Sequence, residues 1–436
     1  CIKMNVGVKA EWHRLRSVVI HRPGIEMHLG LLAPYASLYE RAFHIGEAIR
    51  EHQRLEYILK REFGIAVHKL KAIILRRSNS DVQFRARLID TALEWINFRG
   101  NREEVLLAKK DLEANSEILD PVHFFNILLL HPLIDLSKGK GSRAIYLDIT
   151  ERQPLSNLYF MRDQQAITDN GIFISRMSKP QRRRESLITR LAWEALDIPI
   201  THETQSPGTF EGGDFMPMQD FALIGVGDRT NYEGVNQMMN TALGFPEVAV
   251  VHQPKHPLLP DNKTDRMISM HLDTYLNVAS SSIVVGNELM LKGAKVEVYT
   301  RERKGRYLKR KETTDLYSYL KKKGFTIIGI TTLEQMCYAT NFLCVQDGMI
   351  LAVETDRIAR KVLSNLQLKA KEDPQKYGML MQQASKDYEQ LRMTGNFFPH
   401  KKEIYENGID AFPIILTNLT GGYGGAHCMT CSLYRS

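Results

Sequence analysis

The sequence predicts an α/β or α+β fold that carries an inserted helical unit, and three observations predict it. A short apolar run, Arg16-Ser-Val-Val-Ile20, comes first and stops at Pro23-Gly24. A helical texture then fills residues 34–137. From about Ala144 onward, short β-rich runs alternate with turns and occasional helices. Because β-rich texture stands on both sides of the helical block, the block reads as an insertion. The expected division is 1–33 and 138–436 for the main unit and 34–137 for the helical one.

The elements follow in order. Residues 35–63 place Leu38, Phe43, Ile45, Ile49, Leu55 and Ile58 at helical spacing, with Gly64 as the stop. Residues 81–98 and 103–119 read as two more amphipathic helices, and 124–136 as another. The expected strands are 171–175, 221–226, 247–252, 282–285, 295–299 and 325–330. Residues 342–353 predict a hairpin about Asp347-Gly348, a pair suited to a tight turn. Helices are expected at 185–196, 314–323 and 377–393.

Composition narrows the function classes. Among 436 residues 43% are hydrophobic and 25% charged, the balance of a soluble globular chain. No apolar run reaches the ~18 residues of a membrane span. The N-terminal residues do not read as a secretory leader, so an intracellular, cytoplasmic setting is expected; Cys1 as first residue suggests a trimmed start. Five cysteines in so long a chain argue against a disulfide scaffold. The net charge of +8 is bunched at 182–184, 301–311 and 321–323. These runs lie on separate segments without interleaved aromatic residues, so solvated faces are favoured over a nucleic-acid surface.

Four segments could carry chemistry. Asn157-Leu-Tyr-Phe-Met-Arg-Asp163 opens a β-rich stretch and, alone, could be a surface pair beside a buried Phe160. In Phe210-Glu-Gly-Gly-Asp214, paired glycines suggest either a plain turn or a backbone passing close to a ligand that Glu211 faces. Met270-His-Leu-Asp-Thr274, read as a strand, would put His271 and Asp273 on one face as a proton-transfer pair; a satisfied buried histidine is the plainer reading. At the C-terminus, Gly421-Gly-Tyr-Gly-Gly-Ala-His-Cys428 suggests backbone threaded through a tight site that presents a thiol. Cys428 and Cys431 also form a C-x-x-C, which reads as a redox pair or half a zinc site, but zinc would need a second ligand pair, and Cys337 and Cys344 are not so spaced. Together these segments supply a thiol, a histidine and several carboxylates. A planar cation such as a guanidinium needs carboxylates of this kind.

In this combination the chain resembles the arginine deiminases of the guanidine-modifying superfamily. Val-Ile-His-Arg-Pro-Gly near the start, Leu-Tyr-Phe-Met-Arg-Asp, Pro-Gln-Arg-Arg-Arg-Glu, Phe-Glu-Gly-Gly-Asp, Gly-Val-Gly-Asp-Arg-Thr, Met-His-Leu-Asp-Thr and His-Cys-Met-Thr fall in the family's order. The resemblance implies an α/β five-bladed propeller of ββαβ modules with an inserted helical bundle. It implies that Cys428 is the nucleophile and His271 the acid and base. Asp163 and Asp273 would grip the guanidinium, and Glu211 would support His271. Asn157 and Phe160 would line the pocket with Tyr423 and Gly425, while Arg182 and Arg229 would bind a substrate α-carboxylate. Arginine hydrolysis to citrulline and ammonia is therefore expected, without metal or organic cofactor, in a homo-oligomer that binds neither nucleic acid nor membrane. An amidinotransferase, an agmatine deiminase, a dihydrolase or a non-catalytic arginine binder are the alternatives. Three departures bear on the substrate's tail: Tyr423 and His427 stand where many arginine deiminases have arginine, and Gln164 follows Asp163 in place of proline.

Overall fold

The computed structural model of the protein describes residues 4–136, 148–151, 153–241, 243–260, 263–302 and 305–436; Cys1, Arg303-Lys304 of the basic run and the expected boundary at 137/138 lie outside the described residues. Within them one pairing rule recurs five times: an antiparallel pair, then a helical crossover to a third, parallel strand. The first module is Gln165–Thr168, Gly171–Ile174 and Ile200–Glu203, crossing through helix Glu185–Ala195. The second is Phe215–Pro217, Phe221–Val226 and Glu247–His252. The third is Leu276–Ser280, Ile283–Gly286 and Thr326–Gly329. The fourth is Leu343–Gln346, Met349–Val353 and Asp410–Ile414. In the fifth, the C-terminal strand Cys431–Arg435 pairs with Leu15–Ile20, which pairs in parallel with Ala66–Lys69, so the two ends of the chain share one sheet.

Short apolar strands suit this arrangement. Gly171–Ile174 and Ile283–Gly286 are buried along their whole length, as parallel-paired strands covered on both faces must be. The expected hairpin forms, with Gly348 at φ 75° in its turn. The strand expected at 295–299 forms as Lys295–Arg301. Together with Tyr307–Asp315 it leaves the third module's crossover and adds two strands to the second module's sheet. Helix Thr355–Glu372, not anticipated, buries Ile358, Ala359, Val362 and Leu366, a helical spacing that was available to be read.

The segment expected as one helical unit from residue 34 behaves as two pieces. Residues 35–44 are turns, because Leu38 takes a left-handed backbone (φ 64°) that no helix tolerates. The helix starts at Ile45 and runs to Tyr57, continuing through a π turn to Glu62. It buries Ala48 and Leu55 in the large core shared with the third and fourth modules, and it leads into strand Ala66–Lys69. From Leu70 onward, helices Leu70–Ser80, Val82–Trp95 and Pro121–Leu130 form a second core with Ile172, Ile188 and Trp193 of the first module. Helix Arg102–Ala114, closed by a capping box at Asn101, buries none of its residues. The end of the helix expected at 124–136 is instead strand Pro132–Asp135, following His131 in a left-handed conformation.

Candidate active site

The residues that gather into a site come from one recurrent place, the few positions just before the first strand of each module. Asp163 precedes Gln165, Glu211 precedes Phe215, His271 and Asp273 precede Leu276, Asn341 precedes Leu343, and Cys428 precedes Cys431. All six are almost fully buried.

Cys428 reaches this position through the glycine-rich segment. A side chain at Gly422 would place its Cβ 1.9 Å from the Tyr159 hydroxyl, and one at Gly424 would meet Phe160 at 2.6 Å and the Cys428 Cβ at 2.8 Å. Only glycine lets the backbone pass between the Tyr159–Phe160 pair and the thiol. A narrow cavity opens there. Its walls are Asn157, Phe160, Asp163, Arg182, Arg229, Tyr423 and Cys428, all expected from the sequence, together with Leu38, Met270 and Gly422, which were not. Asn157 Nδ2 donates to the Ser37 carbonyl at 2.7 Å and so fixes the turn that carries Leu38. Gly425 is not on the wall. Its N–H donates to Asn341 Oδ1 at 2.7 Å, which anchors the loop that holds the nucleophile.

Behind the cavity, Met270–Thr274 is a tight turn rather than the expected strand. Thr274 Oγ1 accepts from the His271 N–H and Asp214 Oδ1 from the Leu272 N–H. His271 Nε2 lies 2.8 Å from Glu211 Oε2, and its Nδ1 lies 3.9 Å from Asp163 Oδ1. Asp273 points elsewhere: its Oδ2 is 3.4 Å from Cys428 Sγ and 2.8 Å from His427 Nδ1. The two residues therefore serve different walls of one site.

The electrostatics follow from burial and neighbours. Burial alone would lower the His271 pKa, but the surrounding carboxylates Asp163, Asp214 and Glu211 outweigh it and raise it to about 9. Burial alone would raise Glu211; Arg229 and His271 overcome it and hold that carboxyl low. For Asp273 burial is likewise overcome by His427, His271 and Arg162. Burial and the charges of Asp273 and Asp163 push the Cys428 thiol well above its ordinary range, opposed by the Asn341 hydrogen bond. These shifts favour a protonated Cys428 thiol and a charged His271 at neutral pH, with Glu211 and Asp273 held as carboxylates.

Asn341 was missed by the sequence reading, and it makes three contacts at the nucleophile. Its Nδ2 lies 3.1 Å from Cys428 Sγ, and its Oδ1 accepts from the N–H of Cys428 (3.0 Å) and of Gly425 (2.7 Å). A single asparagine before an apolar strand carries no signal by itself; the shared position before each module's first strand would have pointed to it. A second missed group is Glu11, buried between Arg162 (3.1 Å) and Arg435 (3.2 Å), with His427 Nε2 3.8 Å away. Burial would raise its carboxyl, and the two guanidinium groups hold it well below the usual range. Glu11, His427, Asp273 and Cys428 thus form a chain of contacts, which gives His427 a place that its departure from the family pattern left open.

The two arginines expected to meet a substrate carboxylate both pair with acids of the site, while Arg229 Nε is buried without a hydrogen-bond partner among the described residues. Arg182 binds Asp163 Oδ2 at 2.6 Å and Glu185 at 2.8 Å, and Arg229 binds Glu211 at 3.3 Å. Asp163, Glu211 and His271 also lie close enough to suggest a metal site. The same Glu211 oxygen, however, already faces His271 Nε2 and Arg229 Nη1. By contrast Asp163 Oδ1 and Asp273 Oδ1 have no hydrogen-bond partner among the described residues. Buried acceptors of this kind, set around a thiol, match the N–H groups of a planar cation. Cys431 lines a different cavity, with Glu11 and Gln165.

The arginine deiminase family model matches residues 36–435 of the chain. An arginine deiminase of Halobacterium salinarum is 25% identical, over 99% of this chain and 97% of that protein. One of Oenococcus oeni is 23% identical, over 85% of this chain and 93% of that protein. The fold is similar to that of an amidinotransferase from the saxitoxin biosynthetic pathway of Microseira wollei, with a TM-score of 0.51 at 11% identity, over 99% of this chain and 97% of that one. No helix among the described residues is long and apolar enough to cross a membrane.

Proposed function

The chain belongs to the arginine deiminase family, and from that premise we propose that it hydrolyses L-arginine to L-citrulline and ammonia through a covalent intermediate on Cys428. The observation that carries this reading is the pair of carboxylates, Asp163 and Asp273, each with an oxygen that accepts no hydrogen bond among the described residues, in the site of a buried thiol.

The chemistry proceeds from these groups. A guanidinium between Asp163 and Asp273 offsets the two negative charges that keep the thiol protonated, so the Cys428 proton leaves to water as substrate binds. The thiolate attacks the guanidinium carbon. His271, protonated at neutral pH, gives its proton to the departing nitrogen, and ammonia leaves. Now neutral, His271 takes a proton from water, which adds to the same carbon. Collapse breaks the C–S bond, releasing citrulline and the thiolate. Glu211 and Asp214 favour the charged imidazole throughout.

Five modules of one ββαβ pattern, the last built from both chain ends, support a five-bladed propeller with the site where the pre-strand segments meet. We place the start of the inserted helical unit at Leu70 rather than at residue 34, since Ala66–Lys69 completes the fifth sheet.

Purified protein supplied with L-arginine is expected to release citrulline and ammonia in equal amounts. Ornithine among the products would reassign the chain to a dihydrolase, and no turnover of arginine would sink the proposal. Asn341→Ala is expected to lower kcat about tenfold to a hundredfold, the worth of one hydrogen bond to a charged group. Unchanged kcat would remove Asn341 from the mechanism.

A further inference from the structure

The Asp273 carboxylate faces two ways. Its Oδ2 lies 3.4 Å from Cys428 Sγ, and its Oδ1 accepts no hydrogen bond among the described residues and is left for a cation. That division lasts only while the carboxyl group is kept from turning about its Cβ–Cγ bond. The thiol cannot keep it: once the Cys428 proton leaves, Sγ and Oδ2 are two anions at close range and repel. Thr340 and Asn341 do not keep it either, since both donate to the backbone carbonyl of Asp273.

Among the described residues one other donor reaches this carboxylate. His427 Nδ1 lies 2.8 Å from Asp273 Oδ2. Asp273 is ionised at neutral pH, its pKa held below the ordinary carboxylate value. A carboxylate only accepts, so the ring proton of this contact sits on Nδ1. The ring is 1% exposed and wedged between two acids, with Glu11 Oε1 standing 3.8 Å from Nε2 on its far edge. Glu11 is gripped in turn by Arg162 at 3.1 Å and Arg435 at 3.2 Å. The backbone of His427 is tied as well. Its N–H donates to the Asn341 carbonyl at 3.1 Å, and its carbonyl accepts from Thr430 Oγ1 at 3.2 Å. His427 immediately precedes the nucleophile, so one short segment carries both the thiol and the donor that sets the carboxylate beside it.

We propose that His427 is a positioning residue whose Nδ1–H pins Asp273 Oδ2, so that Oδ1 stays turned to the guanidinium while the neighbouring thiol ionises. This rests on the reading of the site as one for arginine. His427 acts through Asp273, and Glu11 backs the far edge of its ring.

Asparagine and glutamine at this position separate a donor from a filler. An asparagine amide can place its N–H where imidazole carries Nδ1, whereas a glutamine amide reaches toward the Nε2 end, at Glu11. His427→Asn is expected to keep kcat/KM for L-arginine within about fivefold of the parent. His427→Gln is expected to lower it about tenfold to a hundredfold, the worth of one hydrogen bond to a charged group. A ring that only fills space predicts the reverse order, since glutamine is closer to histidine in size. Equal activities or the reverse order overturn the proposal. Circular dichroism establishes that both variants fold. Should either fail to fold, the decision passes to proton NMR of the parent sequence with nitrogen-15-labelled histidine. A far-downfield ring proton on an Nδ1 nitrogen is expected, and it should move upfield in Asp273→Asn; its absence, or its indifference to Asp273→Asn, overturns the proposal. If the parent protein turns over L-arginine and the predicted order fails, only the role of His427 falls. If the parent does not turn over L-arginine, the arginine reading falls, and the inference with it.

Discussion

Cys428→Ala is expected to abolish turnover of L-arginine, by at least about 10⁴-fold, because nothing else in the cavity can form the covalent intermediate. The other three described cysteines are buried away from the cavity wall. Burial pushes Cys431 up to about 12 and leaves it an inert thiol. Cys431→Ser should therefore stay within about twofold of the parent enzyme, whereas a C-x-x-C redox mechanism would lose all activity there. Acid-quenched enzyme given L-arginine should yield a modified peptide spanning Cys428, detected by mass, and Cys428→Ala should yield none. Folding is controlled by circular dichroism. Cys428→Ala removes a thiol that, among the described residues, contacts Asn341 and Asp273, and both of those keep other partners. Residual turnover within tenfold of wild type would exclude the covalent route.

His271→Gln is expected to cost about 10²- to 10⁴-fold in kcat, the usual worth of a positioned acid and base. Glutamine keeps a donor near Glu211 without a titrating ring, so the loss reports on proton transfer more than on folding. The pH dependence gives a second readout. With its pKa raised to about 9, His271 is protonated across neutral pH and loses its proton as pH climbs through that value. The first half-reaction needs the imidazolium, so wild-type kcat should fall above about pH 9, and this alkaline limb should vanish in His271→Gln. The linked stability runs the same way. A histidine whose folded pKa lies above its unfolded value stabilises the fold fully below about pH 6.5, and that contribution is lost as pH rises through about 9. An alkaline limb unchanged in His271→Gln would mean that another group supplies the proton.

Much of this was legible in the sequence, for a local reason. The segments 157–163, 210–214, 270–274 and 421–428 each carry their chemistry within a few residues, and 210–214 and 421–428 add glycines of the kind a close backbone approach demands. The short apolar runs gave most of the strands, because strands buried on both faces are written as continuous apolar sequence. What the chain could not display was anything defined by two distant segments. The pairing of Leu15–Ile20 with Cys431–Arg435 joins residues at opposite ends of the chain, and no periodicity encodes that partner. Leu38 sits in a stretch that reads as helix until its left-handed backbone and the Asn157 contact place it on the cavity wall.

The sequence by itself determined the reactive inventory, a thiol, a histidine and acids, together with the family, since those depend on residue identity and local spacing. Tertiary structure alone decided their partners. It turned His271 toward Glu211 and Asp273 toward Cys428 although they are two residues apart, brought Asn341 to the thiol, and set Arg182 beside Asp163 and Glu185 and Arg229 beside Glu211. The physical reason is that burial and hydrogen-bond partnership set charge and reactivity, and both are properties of what folds against a residue rather than of the residues beside it.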